Sequence, residues 1–163
     1  LRTVTGVQTC ALPIWPAAVS PVLEGLDDHN YGARAWAVRA LAGIGDVRGL
    51  ELLEQALGQD IGPSVRRAAA RGLGQLQLDD LPPERAEAVR ERCLVALERS
   101  EADGEWVVRY AVSVALESLA LGLAADDQRR HRAAAAIVRV RLYERLRDAK
   151  DAAEAADRNW ATI

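Results

Sequence analysis

Several residue types are absent or scarce in this sequence of 163 residues, which has no methionine, no phenylalanine, one lysine and two cysteines. Two cysteines, Cys10 and Cys93, are too few for a disulfide framework or a cysteine-rich metal site, so we expect no bound metal. No apolar run approaches the roughly 18 residues of a membrane span, and no secretory signal is visible, which predicts a cytoplasmic protein without membrane association. The net charge of −3 gives no reason to expect a nucleic-acid partner.

The sequence also lacks the motifs of a self-contained enzyme. It has no glycine-rich phosphate loop, no zinc-ligand spacing and no serine, histidine and acid set. Cys93 shares an apolar helical stripe with Val89 and Leu97, which favours a buried thiol over a nucleophile. His131 lies in a charged segment and is expected at the surface. An enzyme built on self-contained side-chain machinery is therefore disfavoured.

The absence of methionine bears on the first residues. Leu1 is not expected to be a natural start, and residues 4–14, VTGVQTCALPI, resemble the translation of a sequencing adapter. We therefore predict that residues 1–14 are not native. The natural sequence is expected to enter near Trp15 and to lack upstream repeats.

An internal repeat organises the rest of the chain. Three windows each have an aspartate, an arginine six residues later and a leucine seven residues further on: Asp28, Arg34, Leu41; Asp60, Arg66, Leu73; and Asp103, Arg109, Leu116. The windows lie 32 and then 43 residues apart, which is the length of a two-helix unit. The predicted organisation is three repeats followed by a C-terminal capping helix and tail, at about 15–45, 46–78, 83–121 and 124–163.

Helical periodicity is clear within these repeats. After Asp28, apolar residues recur at helical spacing, at Ala33, Ala37, Ala40, Leu41 and Ile44. Alanine and glycine are frequent on these stripes, which lets neighbouring helices approach closely. Gly45, Asp46 and Pro83 stand where a helix should end or begin. The sequence therefore predicts an all-α fold, an α-solenoid of HEAT-like helical hairpins.

The repeated aspartates and arginines have a structural explanation. An aspartate just before a helix can accept hydrogen bonds from the free N–H groups of the first turn. An arginine six residues later can reach the aspartate of the next repeat. We therefore expect Arg34, Arg66 and Arg109 to form a ladder across the stack.

Aromatic and basic residues beyond this ladder suggest a binding surface. Tyr31 and Trp106 each precede a ladder arginine by three residues, and Arg39 and Arg71 follow one by five. At about 100 degrees per residue, Trp36 and Arg39 share the flank opposite the apolar stripe. Second helices often line the concave side of a solenoid, so a flat, conjugated ligand with carboxylates would fit there. The alternative is structural, with aromatic fillers or helix staples and solvated arginines.

Three stretches carry a resemblance to a known family. NYGARAWAVRALAGIGD, SVRRAAARGLG and EWVVRYAV, in this order and spacing, resemble the HEAT-like phycobilin lyases, specifically the F-type subunit of the heterodimeric E/F bilin lyase, over about residues 15–121. The resemblance implies covalent attachment of a linear tetrapyrrole, through a thioether, to a cysteine of a phycobiliprotein α-subunit. It implies an E-type partner subunit and no cofactor, the bilin being a substrate. It leaves an inactive fragment as an alternative, because upstream repeats are missing.

The chemistry implied by the resemblance, combined with helix-face geometry, suggests hypothetical roles for particular residues. Because the acceptor protein supplies the nucleophilic cysteine, the lyase needs none of its own. Asp28 or Glu105 would bond the pyrrole N–H groups, and His29 would assist thiol ionisation. The candidate bilin-binding residues, arginines for the propionates and aromatics for the rings, are Tyr31, Trp36, Arg39, Arg66, Arg71 and Trp106. The alternative function is a non-catalytic HEAT-like scaffold or chaperone for phycobilisome proteins, and a generic protein-binding solenoid is a third.

Overall fold

The computed structural model describes residues 15–25 and 30–160, and this part of the chain contains α-helices and no strand. The helices are α1 Trp15–Glu24, α2 Tyr31–Ile44, α3 Leu50–Gln59, α4 Pro63–Leu73, α5 Pro83–Arg99, α6 Trp106–Leu121 and α7 Gln128–Trp160. A 3-10 turn, Val47–Gly49, leads into α3. The predicted all-α class is confirmed. Residues 1–14, including Cys10, and the proposed catalytic pair Asp28 and His29 lie outside the described residues.

The helices form stacked hairpins. The second helices α2, α4 and α6 pack successively against one another, while the first helices α3 and α5 pack together behind them. Helices α2 and α4 run in the same direction, because Arg34 reaches Asp60 near their starts and Gly72 packs against Ala42 near their ends. This arrangement is the predicted α-solenoid, in which each hairpin buries its apolar side against its neighbours.

Two glycines allow the second helices to approach closely. A Cβ atom placed on Gly72 would lie 2.8 Å from the Cβ of Ala42. A Cβ atom on Gly74 would lie 2.7 Å from the Cα of Ala115 on α6. Larger side chains at these contacts would push the helices apart, so the predicted role of small residues in stacking is confirmed.

The predicted helix boundaries at Gly45, Asp46 and Pro83 are also confirmed. Gly45 ends α2 with a left-handed backbone, φ 72°, and its N–H donates to the carbonyl of Leu41 at 3.0 Å. The Asp46 carboxylate accepts from the backbone N–H of Arg48 at 2.9 Å and so caps the 3-10 turn. Pro83 occupies the first position of α5, where the missing N–H costs nothing.

The buried face of α2 differs from the predicted stripe. Ala37 and Leu41 are buried as expected, but Ala40 is exposed, and Ala35 and Val38 are buried instead. The prediction for Ala40 is wrong because α2 must pack against α4 as well as α3, which turns its buried arc toward α4. Trp36 and Arg39 lie outside this buried arc and are exposed.

Helix α7 is a single element of 33 residues. It packs mainly against α6, burying Ala133, Ala136 and Val140, and it also contacts α5. Arginines on α7 bond carboxylates on α5 and in the turn after it: Arg132 pairs with Glu98 of α5, and Arg139 pairs with Glu101, which follows the end of α5. The division into three repeats and a capping helix with a tail stays a prediction. No helix in residues 15–25 and 30–160 is long and apolar enough to cross a bilayer.

Candidate functional site: an arginine groove on the second helices

The predicted ladder runs along the edge where the second helices begin. Arg34 Nε donates to Asp60 Oδ2 at 2.9 Å, and Arg66 Nε and Nη2 donate to the two Asp103 carboxylate oxygens at 2.8 and 3.0 Å. The Arg66 Nη1 also donates to the backbone carbonyl of Asp60 at 2.8 Å. The ladder is therefore confirmed at two steps. All three guanidinium nitrogens of Arg66 are bonded to protein acceptors, so this side chain serves the stack.

The third ladder arginine has a different partner. Arg109 is fully buried, and its Nε donates to Glu144 of α7 at 2.5 Å. Its guanidinium also lies 5.1 Å from the centre of the Tyr143 ring. The hydrogen bond from Arg109 holds the pKa of Glu144 below its usual value. Arg109 thus fastens α7 onto α6, whereas Arg34 and Arg66 connect successive repeats.

The ladder aspartates do not cap helices in the way expected. Asp60 accepts from the N–H of Gly62 at 2.8 Å, and Asp103 accepts from the N–H of Glu105 at 2.9 Å. Gly62 and Glu105 are themselves the N-cap residues, so the predicted bonds to the first-turn N–H groups are wrong. The aspartates instead fold the short loops before the helices, as side chains of this kind do in Asx turns.

A groove between α2 and α4 collects arginines that the ladder does not use. It has a volume of about 430 Å³ and is lined by Arg39, Ala42, Gly43, Ser64, Arg67, Ala68, Arg71 and Gln75. We call it the arginine groove. Arg39 Nη2 donates to Ser64 Oγ at 3.2 Å across the groove. None of the described residues that line it is acidic, so the groove presents positive charge without a carboxylate to balance it.

These three arginines contrast with their neighbours in the chain. Within the described residues, Arg39, Arg67 and Arg71 form no salt bridge, and Arg39 makes one bond to a neutral hydroxyl. Other arginines of the solenoid, such as Arg66 and Arg92, are paired with aspartate or glutamate. Guanidinium groups that converge without a carboxylate partner are suited to bind carboxylates or phosphates from outside.

The aromatic candidates lie in different places. Trp36 is 73% exposed, and the guanidinium of Arg39 lies 5.7 Å from the centre of its ring. This ring lines a shallow recess between α1 and α2, directly beside the arginine groove. Tyr31 instead lies at the ladder edge, where its ring faces Arg34 and its hydroxyl packs against Gly62. Trp36 therefore flanks the groove and Tyr31 does not.

Trp106 and Glu105 also lie away from the arginine groove. Trp106 is 63% exposed and lines a second groove, of about 700 Å³, between α6 and α7. Glu105 is an exposed N-cap residue at the start of α6. The structure thus brings together Arg39 and Arg71 with Trp36 beside them, and separates them from Tyr31, Arg66, Glu105 and Trp106.

Arg67 and Ser64 were missed by the sequence reasoning. Arg67 precedes Arg71 by four residues, and this spacing puts both on one helical face. The repeat alignment could have identified Arg67 as a groove residue only if the solvent-exposed face of α4 had been known. Ser64 gives no sequence signal, because its role depends on contact with Arg39 of another helix.

The described residues supply binding groups, and their cysteine is buried and poorly suited to act as a nucleophile. Burial raises the pKa of the Cys93 thiol to about 12, so it stays protonated at neutral pH. No cluster of three or more histidine, cysteine, aspartate or glutamate side chains suited to a metal ion occurs in the part of the chain that the structure describes. The arrangement can therefore hold and orient an anionic ligand by hydrogen bonds and ring contacts.

Comparison with known proteins agrees with this architecture. A profile for HEAT repeats matches residues 19–117, and the chain belongs to the HEAT-repeat family. Within that family, the chain is plainly related in sequence and fold to the F-type subunits of phycobilin lyases. The chain is 57% identical over 100 residues to the bilin biosynthesis protein RpcF of Synechococcus sp. WH8020, covering 61% of this chain and 46% of that protein.

Two further likenesses support this placement. The chain is 50% identical over 109 residues to the phycocyanin alpha phycocyanobilin lyase CpcF of Synechocystis sp. PCC 6803, covering 67% of this chain and 51% of that protein. A solved structure, the complex of CpcE and CpcF of phycocyanin lyase from Nostoc sp. PCC7120, matches with a TM-score of 0.62 and 35% identity, covering 78% of this chain and 85% of that chain. The chain spans about half the length of the curated relatives it matches.

Proposed function

We propose that this chain acts as the F-type subunit of a phycobilin lyase that attaches a linear tetrapyrrole to a cysteine of a phycobiliprotein α-subunit. The placement among F-type subunits and the names of the relatives support this function. An E-type subunit would be the partner, since the matched structure is a complex of CpcE and CpcF. The reaction would take place in the cytoplasm, where the tetrapyrrole and the acceptor protein meet.

The arginine groove is the observation that carries the proposal at the level of residues. A linear tetrapyrrole has two propionates on its middle rings, and the groove offers Arg39, Arg67 and Arg71 without competing carboxylates. Three like charges in one groove repel one another until an anion binds. Two propionates would relieve this repulsion through charge-assisted hydrogen bonds. Trp36, beside Arg39, would stack on the adjoining conjugated system.

The chemistry requires little more than this from the chain. The acceptor thiol adds to the ethylidene double bond of ring A, so that a sulfur–carbon bond forms, the thiol proton passes to the conjugated system and no group leaves. The chain contributes by fixing the tetrapyrrole relative to the acceptor cysteine, which replaces a bimolecular encounter with a positioned one. A buried and protonated Cys93 cannot compete with the acceptor thiol.

Reconstitution with an E-type subunit, phycocyanobilin and an apo α-subunit tests the proposal. Covalent transfer is measured as bilin absorbance and fluorescence that stay with the α-subunit under denaturing conditions. We expect transfer with the parent chain, and at least a tenfold lower rate with Arg39→Ala or Arg71→Ala. Arg85→Ala is the matched control, because Arg85 is exposed, forms no ion pair with a described residue and lies outside the groove.

Two other outcomes would contradict the proposal in different ways. If the parent chain binds the α-subunit but bilin is never transferred, the chain is a scaffold or chaperone. If transfer occurs and the variants at Arg39 and Arg71 match Arg85→Ala, the lyase function stands but the arginine groove does not hold the bilin.

A further inference from the structure

The repeat register relates two residues of α6 to the arginines of α4. Arg66 and Arg109 occupy the same repeat position, so Tyr110 corresponds to Arg67 and Val114 corresponds to Arg71. Helices α4 and α6 run in the same direction, because Arg66 bonds Asp103 near their starts and Gly74 packs on Ala115 near the end of α4. In parallel stacked helices, equivalent positions face the same side of the solenoid. Tyr110 and Val114 therefore continue the wall that contains the arginine groove.

The exposure pattern agrees with this register. Arg67 and Arg71 are exposed on α4, and Tyr110 and Val114 are exposed on α6, with Tyr110 at 64%. Tyr110 and Val114 also line the second groove, between α6 and α7. Packing of the described helices does not require a large ring at Tyr110, since this residue belongs neither to the buried core nor to the partly buried residues packed against it. An exposed tyrosine beside an exposed valine that lines a groove suits contact with an apolar ring.

The order of groups along the wall matches the order of groups in a linear tetrapyrrole. From α2 to α6 the wall presents the Trp36 ring, then the three arginines, then Tyr110 with Val114. A linear tetrapyrrole has outer rings without carboxylates and middle rings that bear the propionates. Stacked helices lie about 8–10 Å apart, so the tyrosine stands one helix spacing from the nearest arginines. This places an aromatic ring beyond the carboxylates, where an outer pyrrole ring would lie.

We propose that Tyr110, flanked by Val114, contacts a carboxylate-free outer ring of the tetrapyrrole and sets its position relative to the arginine groove. This inference rests on the proposed function, since it assumes that the groove binds the propionates. It makes Tyr110 a positioning residue of the same site. The ligand would then lie across α4 and α6, with its middle rings at Arg67 and Arg71 and one end at Tyr110.

Direct binding of two probes tests the inference without relying on transfer. Phycocyanobilin and its dimethyl ester, which lacks the free carboxylates, are titrated into the chain, and the change in visible absorbance gives each Kd. Tyr110→Ala should weaken both probes by roughly threefold to tenfold, the value of an aromatic contact. Tyr110→Phe should bind both as the parent does, because the ring is retained. Ile61→Ala, at another exposed apolar residue, is the matched control.

The arginine variants separate this inference from the proposed function. Arg71→Ala should weaken the binding of phycocyanobilin and leave the affinity for the ester almost unchanged. Tyr110→Ala, in contrast, should weaken the binding of both probes. If Arg71→Ala acts in this way while Tyr110→Ala binds both probes like the parent, the groove stands and the role of Tyr110 is overturned. If the parent chain binds neither probe, the groove and the inference both fail. Far-UV circular dichroism confirms that each variant keeps its helices.

Discussion

The ladder edge and the arginine groove use the same residue type in opposite ways. The ladder arginines each bond a carboxylate. Arg34 and Arg66 bond an aspartate in the loop before the next second helix, and Arg109 bonds Glu144 on α7. Each groove arginine forms no salt bridge with a described residue, and the three are Arg39, Arg67 and Arg71. Both sets lie on the second helices, and on α2 and α4 each groove arginine follows a ladder arginine by one or five residues. The difference lies in what the neighbouring repeat places opposite each side chain.

Position along the helix decides the outcome. At the start of a second helix, the loop of the next repeat brings an aspartate within reach, as Asp103 reaches Arg66. Five residues after Arg34, the neighbouring helix offers Arg39 a serine hydroxyl, alanine and further arginines but no carboxylate. Arginine in the first place stabilises the stack, and arginine in the second place is available to a ligand. If variants of ladder arginines changed ligand binding, and variants of groove arginines changed stability, this comparison would be wrong.

The largest effect is expected at the buried end of the ladder. Arg109→Ala removes a fully buried guanidinium that bonds Glu144, and it leaves that carboxylate without its cation. We expect a loss of about 3 kcal/mol in the free energy of unfolding, measured by urea titration with circular dichroism. Arg85→Ala should change the same quantity by no more than about 0.5 kcal/mol. A cost below about 1 kcal/mol for Arg109→Ala would show that α7 is held to α6 by other contacts.

A pair of variants on α4 compares the two uses directly. Arg66→Ala should lower the free energy of unfolding by about 2 kcal/mol, because it breaks charge-assisted bonds to Asp103. Arg71→Ala should change it by less than about 0.5 kcal/mol. Phycocyanobilin affinity should show the reverse order, with roughly a tenfold loss for Arg71→Ala alone. Equal effects of both variants on both measurements would remove the distinction between ladder and groove.

Much of the fold could be predicted because its determinants repeat along the chain. The spacing of Asp60, Arg66 and Leu73 recurs in neighbouring windows, and the cap residues Gly45 and Pro83 act locally. Such features depend on residues close in sequence or at a fixed period. The partner of Arg109 could not be found in this way, because Glu144 belongs to a helix that does not continue the repeat.

The site was harder to predict because helix rotation determines it. The stripe expected on α2 included Ala40, which is exposed, since packing against α4 turns the buried arc. The rotation of each helix likewise decides that Arg67 of α4 faces the groove and that Tyr31 of α2 packs at the ladder edge. Sequence spacing gives the relative positions of residues on one helix. It does not give the side of that helix that a neighbouring helix covers.

A smaller difference between the ladder and the arginine groove is expected in their response to salt. Contacts between exposed arginines and propionates are screened by ions, so raising the salt concentration should weaken phycocyanobilin binding several-fold. The ladder pair of Arg66 and Asp103 is largely buried, and its contribution to stability should change less. Titrations at low and high salt, alongside urea unfolding in the same buffers, measure both. The dimethyl ester serves as the control ligand, because its affinity should show little dependence on salt.

The smallest expected effect is the acid dependence of the ladder pair of Arg66 and Asp103. Burial alone would raise the pKa of Asp103, but the hydrogen bonds from Arg66 and from the Glu105 N–H outweigh it and leave that pKa lowered. A carboxyl whose pKa is lower in the folded state contributes its full stability above its unfolded value and loses it as the pH falls through the folded value. Stability from this pair should therefore decline below about pH 5. Asp103→Asn should be less stable near neutral pH and should lose less on acidification, because the titrating group is gone. Urea unfolding of both proteins across this range measures the difference, and identical acid slopes would show that other carboxyls, such as Asp127 with its pKa lowered to about 2 by Arg129, carry the dependence.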